Sequence, residues 1–188
     1  MTKFKINERG FWECNSGIGH CFDQRLILAL LNFMKENKIE NLVDFGCGMG
    51  DYAKVMLQNN IKVDAYDGNP NTKELTGGIG SILDLSNSFD LKKKYDCVFT
   101  LEVGEHLPSQ YESIFLDNIC RHTEKFIILS WAVEGQGGDG HVNCRNNNYV
   151  IDQMNIRNFV LCPQESNYLR FNSSLPWFKN TIMVFKTQ

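Results

Sequence analysis

The sequence predicts an α/β domain built on a mostly parallel sheet. Three observations carry that prediction. Short apolar runs alternate with helical patterns along the chain. A glycine-rich turn, Gly46-Cys47-Gly48-Met49-Gly50, separates the first such run from the next helical pattern. Acids recur at three successive strand ends: Asp44, Asp67 and Asp84. Consecutive strand–helix–strand units imply parallel strands joined by right-handed crossovers.

Each element follows from local pattern. Residues 1–22 read as an irregular arm, with Gly10, Gly17 and Gly19 among the aromatics Phe11, Trp12 and Phe22; with His20, these aromatics are read as a lid or a packed arm. Asp23 is the expected N-cap of a helix whose Ile27, Leu30, Leu31 and Met34 form a stripe. Strands are expected at 41–45, 62–66, 81–83, 95–101, 125–131 and 158–162, with a last strand at 180–186. A helix opens near Asp51. Another opens at Pro108, where Ser109 and Glu112 have capping-box spacing and Phe115 and Ile119 face inward. A polar loop, 135–148, precedes a helix at 149–154; loops of that length are more often functional. The final strand pair, with little helix between, is free to close antiparallel.

Composition narrows the function. At 188 residues the chain is the size of one domain, and no repeat or linker divides it, so residues 23–188 read as one core behind the arm. Nineteen basic against 22 acidic side chains give a net charge of −3, which disfavours a long nucleic acid as partner. The longest apolar stretch, Leu26 to Met34, is too short to span a bilayer and is interrupted by Asn32. The start of the chain lacks the apolar core of a secretory signal. The seven cysteines are odd in number and none has Cys-x-x-Cys spacing, as expected of a reduced, cytoplasmic protein with neither disulfide framework nor zinc ribbon. Nothing indicates an oligomeric state.

The glycine turn is the strongest local signal. Strand, glycines and helix start follow in order, letting the backbone turn sharply and a ligand approach without Cβ atoms in the way. A dinucleotide fingerprint would place its third glycine at 51, where Asp51 stands; a carboxylate there competes with a pyrophosphate for the helix N-terminus. A nucleoside without phosphates fits better, and a nicotinamide oxidoreductase is disfavoured. Asp67 can accept both ribose hydroxyls, and Asp84 is placed for the adenine edge.

With these residues the chain resembles the class I S-adenosylmethionine-dependent methyltransferases over about residues 23–188. Asp44-Phe45-Gly46-Cys47-Gly48-Met49-Gly50 is similar to the family's first motif, Asp67 to its ribose-binding acid, Asp84-Leu85 to its adenine-side motif, and Tyr95-Asp96-Cys97-Val98 to its fourth strand. The resemblance implies a Rossmann-like three-layer sandwich with a seven-stranded sheet, the last strand antiparallel and inserted between the fifth and sixth. It implies S-adenosylmethionine as cofactor, held by Asp44, Gly46, Cys47, Gly48, Gly50, Asp67, Gly68, Asn69, Asp84, Leu85 and Glu102.

After the fourth strand comes Glu102-Val103-Gly104-Glu105-His106-Leu107-Pro108. The Asn/Asp-Pro-Pro-aromatic motif of many amide and base N-methyltransferases is absent. On a helical turn Glu102, Glu105 and His106 would share one face. Three readings stand side by side: a solvated turn; a general base, His106 or His141 with Glu105 beside it; or a site for Mg²⁺ or Mn²⁺ made by Glu102, Glu105, His106 and His141. Glu-x-x-Glu-His followed by a later His is similar to the pattern of metal-dependent small-RNA 2′-O-methyltransferases, and its first part to ubiquinone-pathway O-methyltransferases. The expected activity is O-methylation of a small polyhydroxylated acceptor such as a sugar. The alternatives are a metal-free methyltransferase and a non-catalytic cofactor-binding subunit. Trp131 and Trp177 are candidates to line the acceptor pocket, with core packing expected for Trp177.

Overall fold

The computed structural model describes residues 5–188; the first four residues of the predicted arm lie outside it. The arm opens with a hairpin, β1 (Lys5–Ile6) against β2 (Trp12–Glu13). The core runs α1 (Gln24–Glu36), β3 (Asn41–Phe45), α2 (Asp51–Gln58), β4 (Lys62–Asp67), α3 (Thr72–Leu75), β5 (Gly80–Ile82) and β6 (Tyr95–Leu101). A 3₁₀ turn (Ser109–Tyr111), α4 (Glu112–Arg121), β7 (Thr123–Ser130), α5 (Asn147–Ile156), β8 (Phe159–Leu161), α6 (Pro163–Phe171), α7 (Phe178–Thr181) and β9 (Met183–Thr187) complete it.

The sheet has seven strands in the order β5-β4-β3-β6-β7-β9-β8. The first five are parallel, and β9 runs antiparallel to both of its neighbours. The Rossmann-like, three-layer expectation therefore holds, including insertion of the last strand. Side chains alternate between faces as strand geometry requires. Leu42, Cys97, Phe99, Ile128 and Val184 pack toward α1 and α6. Val43, Phe45, Val98, Ile127, Leu129 and Phe185 pack toward α4 and α5. Burial on both faces explains why β6 and β7 read as continuous apolar runs.

Four local expectations need correction. The final strand pair does close antiparallel, but α6 lies between its members. Pro163 at its first turn, with Glu165 early and Arg170 late, was the available signal. The last strand starts at Met183 because residues 178–181 form a helical turn. The capping box does not form: Ser109 enters a 3₁₀ turn without a capping bond, and the Glu112 carboxylate is taken by other donors. Trp131 is 1% exposed and packs in the core.

Asp23 is the predicted N-cap. Its Oδ1 accepts the amides of Arg25 and Leu26 (both 3.0 Å). Oδ1 also accepts Ser174 Oγ at 2.7 Å, and Oδ2 accepts Ser174 N at 2.6 Å and Leu175 N at 2.8 Å. One carboxylate thus fixes the start of α1 and the loop leading to α7. Burial works to raise its pKa, but the bonds from Leu175, Leu26 and Ser174 outweigh it and hold the carboxyl below the ordinary value. A depressed folded pKa contributes stability above the unfolded pKa, which is lost as pH falls through the folded one. Asp23→Ala is expected to cost roughly 2–3 kcal/mol, a lost cap plus charge-assisted bonds to a second loop. Urea unfolding at pH 7 and at pH 3 checks this; the deficit should shrink at the lower pH.

Candidate active site

The strand order reverses direction between β3 and β6, the switch point where open α/β sheets bind ligands. A cavity of about 380 Å³ lies there, beyond the carboxyl ends of the strands. The glycine turn after β3 forms one wall and the 102–107 segment after β6 another. Gly46, Gly48 and Gly50 hold positive φ of 84°, 53° and 72°, backbone that L side chains rarely adopt. The helix begins at Asp51, so a carboxylate does sit in its first turn.

The predicted cofactor residues gather on this cavity. Asp44, Gly46, Cys47, Gly48, Asp67, Gly68, Asn69, Asp84, Leu85 and Glu102 line it; Gly50 is buried behind. Burial, then the charge of Asp67, pushes the Asp44 carboxyl up to about 8, and burial likewise raises the Cys47 thiol. Asp67 is fixed by the amides of Gly48 on one oxygen and Asn69 on the other, both at 2.9 Å. Each oxygen keeps a lone pair for a further donor. Asn69 and Asp84 are more committed than expected. The Asn69 amide group binds the Cys14 carbonyl at 3.0 Å. Asp84 accepts Arg9 Nη1 at 2.6 Å, Ser86 Oγ at 2.6 Å and Ser86 N at 2.9 Å. Although burial opposes it, these bonds hold Asp84 below the usual carboxylate range.

The arm crosses the same cavity. Phe11, Trp12 and His20 line it, whereas Phe22 turns away to stack edge-on against Tyr52. Gly10 marks where the arm is pressed down: at φ 102°, an added Cβ would lie 2.2 Å from the His106 carbonyl oxygen. His20 lies on Gly48, where a Cβ would meet its ring at 2.4 Å. Trp12 stands edge-on between His20 and His106, with ring centroids 5.1 and 5.3 Å away. Arg9 carried no local signal, since its partner Asp84 is 75 residues distant.

The second constellation follows β6. Instead of a helix, the segment makes tight turns, His106 N to Val103 O and Leu107 N to Gly104 O. Gly104 lies flat on Trp131, where a Cβ would come within 2.3 Å of the ring. The loop after β7 is tied back to this turn: the amides of Val142 and Asn143 both donate to the Glu105 carbonyl at 2.9 Å. That brings His141 to Glu105. Among the described residues, Glu105, His106 and His141 each offer a ligand atom within 4.8 Å of the others'. His141 Nε2 lies 3.9 Å from Glu105 Oε1, and the two imidazoles meet edge-on at 4.9 Å.

Glu102, the fourth residue of the expected set, is a neighbour of Glu105 but not part of that three-residue group. It occupies the left-handed region at φ 54°, and its carboxylate accepts Gln136 Nε2 at 2.6 Å and Thr181 Oγ1 at 3.4 Å. These partners aim it along the cavity wall beside Glu105. Nor do the tryptophans fall as expected: Trp177 lines the cavity and Trp131 does not.

Glu105 is fully buried, and among the described residues no well-aligned hydrogen bond reaches either carboxylate oxygen; the Ala132 backbone and the Glu102 carboxyl are polar neighbours. Buried polar groups are nearly always paired, so such an acid is a marked exception. Burial pushes its pKa well up, and Glu102 pushes the same way. His106 Nδ1 is also buried, with the Gly140 backbone as a polar neighbour and no well-aligned hydrogen bond among the described residues. Burial, then His141, lowers the His106 pKa to about 4, which keeps its imidazole neutral near pH 7. His141 Nδ1 lies 3.1 Å from the Gln136 carbonyl. A carbonyl only accepts, so Nδ1 is the donor in this contact and Nε2 is the ring atom that faces Glu105. Cys144 Sγ, 3.8 Å from His141 Nδ1, is a neighbour that the sequence did not flag.

Comparison with known proteins agrees with this architecture. A family model described as a methyltransferase domain matches residues 20–134. No curated protein sequence matches the chain. Among solved structures, the sugar N-methyltransferase KedS8 from Streptoalloteichus sp. ATCC 53650 superposes with a TM-score of 0.69 at 11% identity, covering 92% of this chain and 90% of that one. Magnesium protoporphyrin IX methyltransferase (ChlM) from Synechocystis PCC 6803, with bound SAH, gives 0.63 at 16% identity over 88% and 83%. The methyltransferase domain of bacterial CtHen1 gives 0.61 at 14% over 88% and 98%. Among the described residues no helix is long and apolar enough to cross a membrane. With a family model covering more than half of the chain and the fold shared by these structures, the chain belongs to the methyltransferase-domain family, the class I S-adenosylmethionine-dependent methyltransferases.

Proposed function

We propose that the chain methylates a hydroxyl of a small polyhydroxylated acceptor, such as a sugar, using S-adenosylmethionine and a divalent ion held by Glu105, His106 and His141. The observation that carries this reading is the buried Glu105 carboxylate, reached by no well-aligned hydrogen bond among the described residues, beside two imidazoles. This donor set, one hard carboxylate and two imidazoles, fits a Mg²⁺- or Mn²⁺-type ion. The Gln136 carbonyl behind His141 is the outer contact that ligating histidines usually have. When bound, such an ion lowers the pKa of a hydroxyl and orients its oxygen.

The cavity suits the cofactor. S-adenosylmethionine supplies a methyl on a sulfonium, already a good leaving group. The glycine turn and Asp44 are assigned to its methionine end, Asp67 with Gly68 and Asn69 to the ribose, and Asp84 with Leu85 to the adenine. Glu102 stands where the two constellations meet. The chain's remaining work is to place the acceptor oxygen in line with the methyl and exclude water. Phe11 and Trp12 from the arm serve the second task. Trp177, on the cavity wall, is assigned to the acceptor; a sugar acceptor is consistent with the fold shared with the sugar N-methyltransferase KedS8.

A second reading has one observation in its favour: His106 lines the cavity with its imidazole neutral near pH 7, so it can accept the acceptor's proton without an ion, although burial makes it a weaker base than a free imidazole. An acceptor screen with labelled cofactor, run with Mg²⁺, Mn²⁺ or chelator, separates the two. Turnover should vanish in chelator and return with either ion, and vicinal diols should outperform isolated hydroxyls. Full activity in excess chelator would leave histidine base catalysis in place of the metal.

A further inference from the structure

The loop that carries His141 is poorly built to hold a histidine still. Between Ala132 and Asn147 it contains Gly135, Gly137, Gly138 and Gly140, and most of residues 134–139 are exposed. Yet His141 must stay in register with Glu105, which lies on a different turn after a different strand. The near anchor is the Glu105 carbonyl, which accepts Val142 N and Asn143 N. A second anchor lies farther back, at a carboxylate outside the cavity lining.

That carboxylate is Glu112, at the start of α4 and 6% exposed. Its Oε2 accepts Asn143 Nδ2 and Arg145 Nε, both at 2.9 Å, and its Oε1 accepts the Tyr149 hydroxyl. Two of these donors are in the His141 loop and the third opens α5. Arg145 also lies over the Tyr149 ring, 4.6 Å from its centroid. Asn143 links the two anchors: its side chain reaches Glu112, its amide reaches Glu105, and its carbonyl accepts the Trp131 indole at 2.7 Å. Trp131 in turn supports Gly104 of the Glu105–His106 turn. A buried acid that collects two donors from one distant loop, and a third from the helix that follows it, ties that loop down more than it stabilises its own helix.

We propose that Glu112 is a positioning residue that holds His141 in register with Glu105. It touches neither acceptor nor cofactor and acts through Asn143, Arg145 and Tyr149. Its consequence for ion binding rests on the metal reading above, so the test reads the position of the loop separately from the ion. Glu112→Ala and Glu112→Gln are compared with wild type in three measurements: amide exchange of Val142 and Asn143 by NMR, Mn²⁺ affinity by EPR titration, and S-adenosylhomocysteine affinity.

In Glu112→Ala the two amides should lose about tenfold or more of their protection. Mn²⁺ should bind about 10–100-fold more weakly, the usual effect of removing an outer-shell partner. S-adenosylhomocysteine affinity should not move. Glu112→Gln, which keeps an acceptor oxygen of the same shape, should recover part of both losses, and it remains informative if the alanine variant fails to fold. In a His141→Ala background, Glu112→Ala should add no further loss of Mn²⁺ affinity. Unchanged amide protection in a folded variant would overturn the proposal, and so would a further full loss in the His141→Ala background. If wild type binds no Mn²⁺ while Glu112→Ala still deprotects the two amides, the metal reading fails and the positioning of His141 by Glu112 stands.

Discussion

Asp67→Ala should weaken S-adenosylhomocysteine binding by about two orders of magnitude or more while leaving the protein folded. The reasoning starts from the ends of β3 and β4. Asp67 closes β4 and reaches the glycine turn after β3, where it accepts Gly48 N and Asn69 N. These bonds hold the carboxylate rigid and leave a lone pair on each oxygen toward the cavity. Two ribose hydroxyls would fill them, each bond to an ionised acceptor being worth roughly 1.5–3 kcal/mol. The variant also releases the Gly48 amide, loosening the turn against which the cofactor rests. Titration calorimetry with S-adenosylhomocysteine, alongside a thermal melt, separates the two effects. A folded variant with unaltered affinity would remove Asp67 from the site.

The parts of this molecule that were legible in the sequence are those written in local pattern. The strands at 41–45 and 95–101 agree residue for residue, bounded by Gly46 and by the charged run before Tyr95, whereas the most apolar strand, expected at 125–131, spans Thr123–Ser130. Asp23 was readable as a cap, and the glycine turn as a sharp turn between strand and helix, because each rests on backbone geometry that only a few residue types satisfy. Elsewhere the legibility fails for one physical reason: the determining contact is distant. Glu112 has the spacing of a capping-box partner, but donors more than 30 residues away compete for its carboxylate and win. Glu102 shares the i, i+3 spacing with Glu105, but tight turns replace the helix on which that spacing was read, and Glu102 is held by Gln136 and Thr181, 34 and 79 residues away. Trp131 and Trp177 exchanged roles because the side chains of a strand end and of a helix-preceding turn are aimed by packing that no short window records. The hairpin of the arm follows the same rule, since Gly10 fits only against the His106 backbone.

Glu105→Met should abolish ion binding and turnover, yet give a more stable protein than wild type in chelator. A fully buried carboxyl that no well-aligned hydrogen bond reaches among the described residues is a liability in the fold, of about 1–3 kcal/mol. Methionine has similar volume and no polar atoms, so it fills the site without that cost. Burial, then Glu102, raises the Glu105 pKa. The folded state therefore keeps its proton at pH values where the unfolded chain has released it, and wild-type stability falls as pH rises above the unfolded value, about 4.3. The advantage of the variant should accordingly grow with pH across that interval. At this chain length each kcal/mol moves the melting temperature by about 2–4 °C. Adding Mn²⁺ should reverse the order: an ion at one hundred times its dissociation constant stabilises the folded state that binds it by about 2.7 kcal/mol, and only wild type retains the carboxylate. Thermal melts of both proteins at pH 6 and pH 8, with chelator and with Mn²⁺, read the whole pattern. S-adenosylhomocysteine affinity serves as the control for an intact cofactor site. A variant less stable than wild type in chelator would mean that Glu105 contributes to the fold itself, and an equal Mn²⁺ shift in both proteins would place the ion elsewhere.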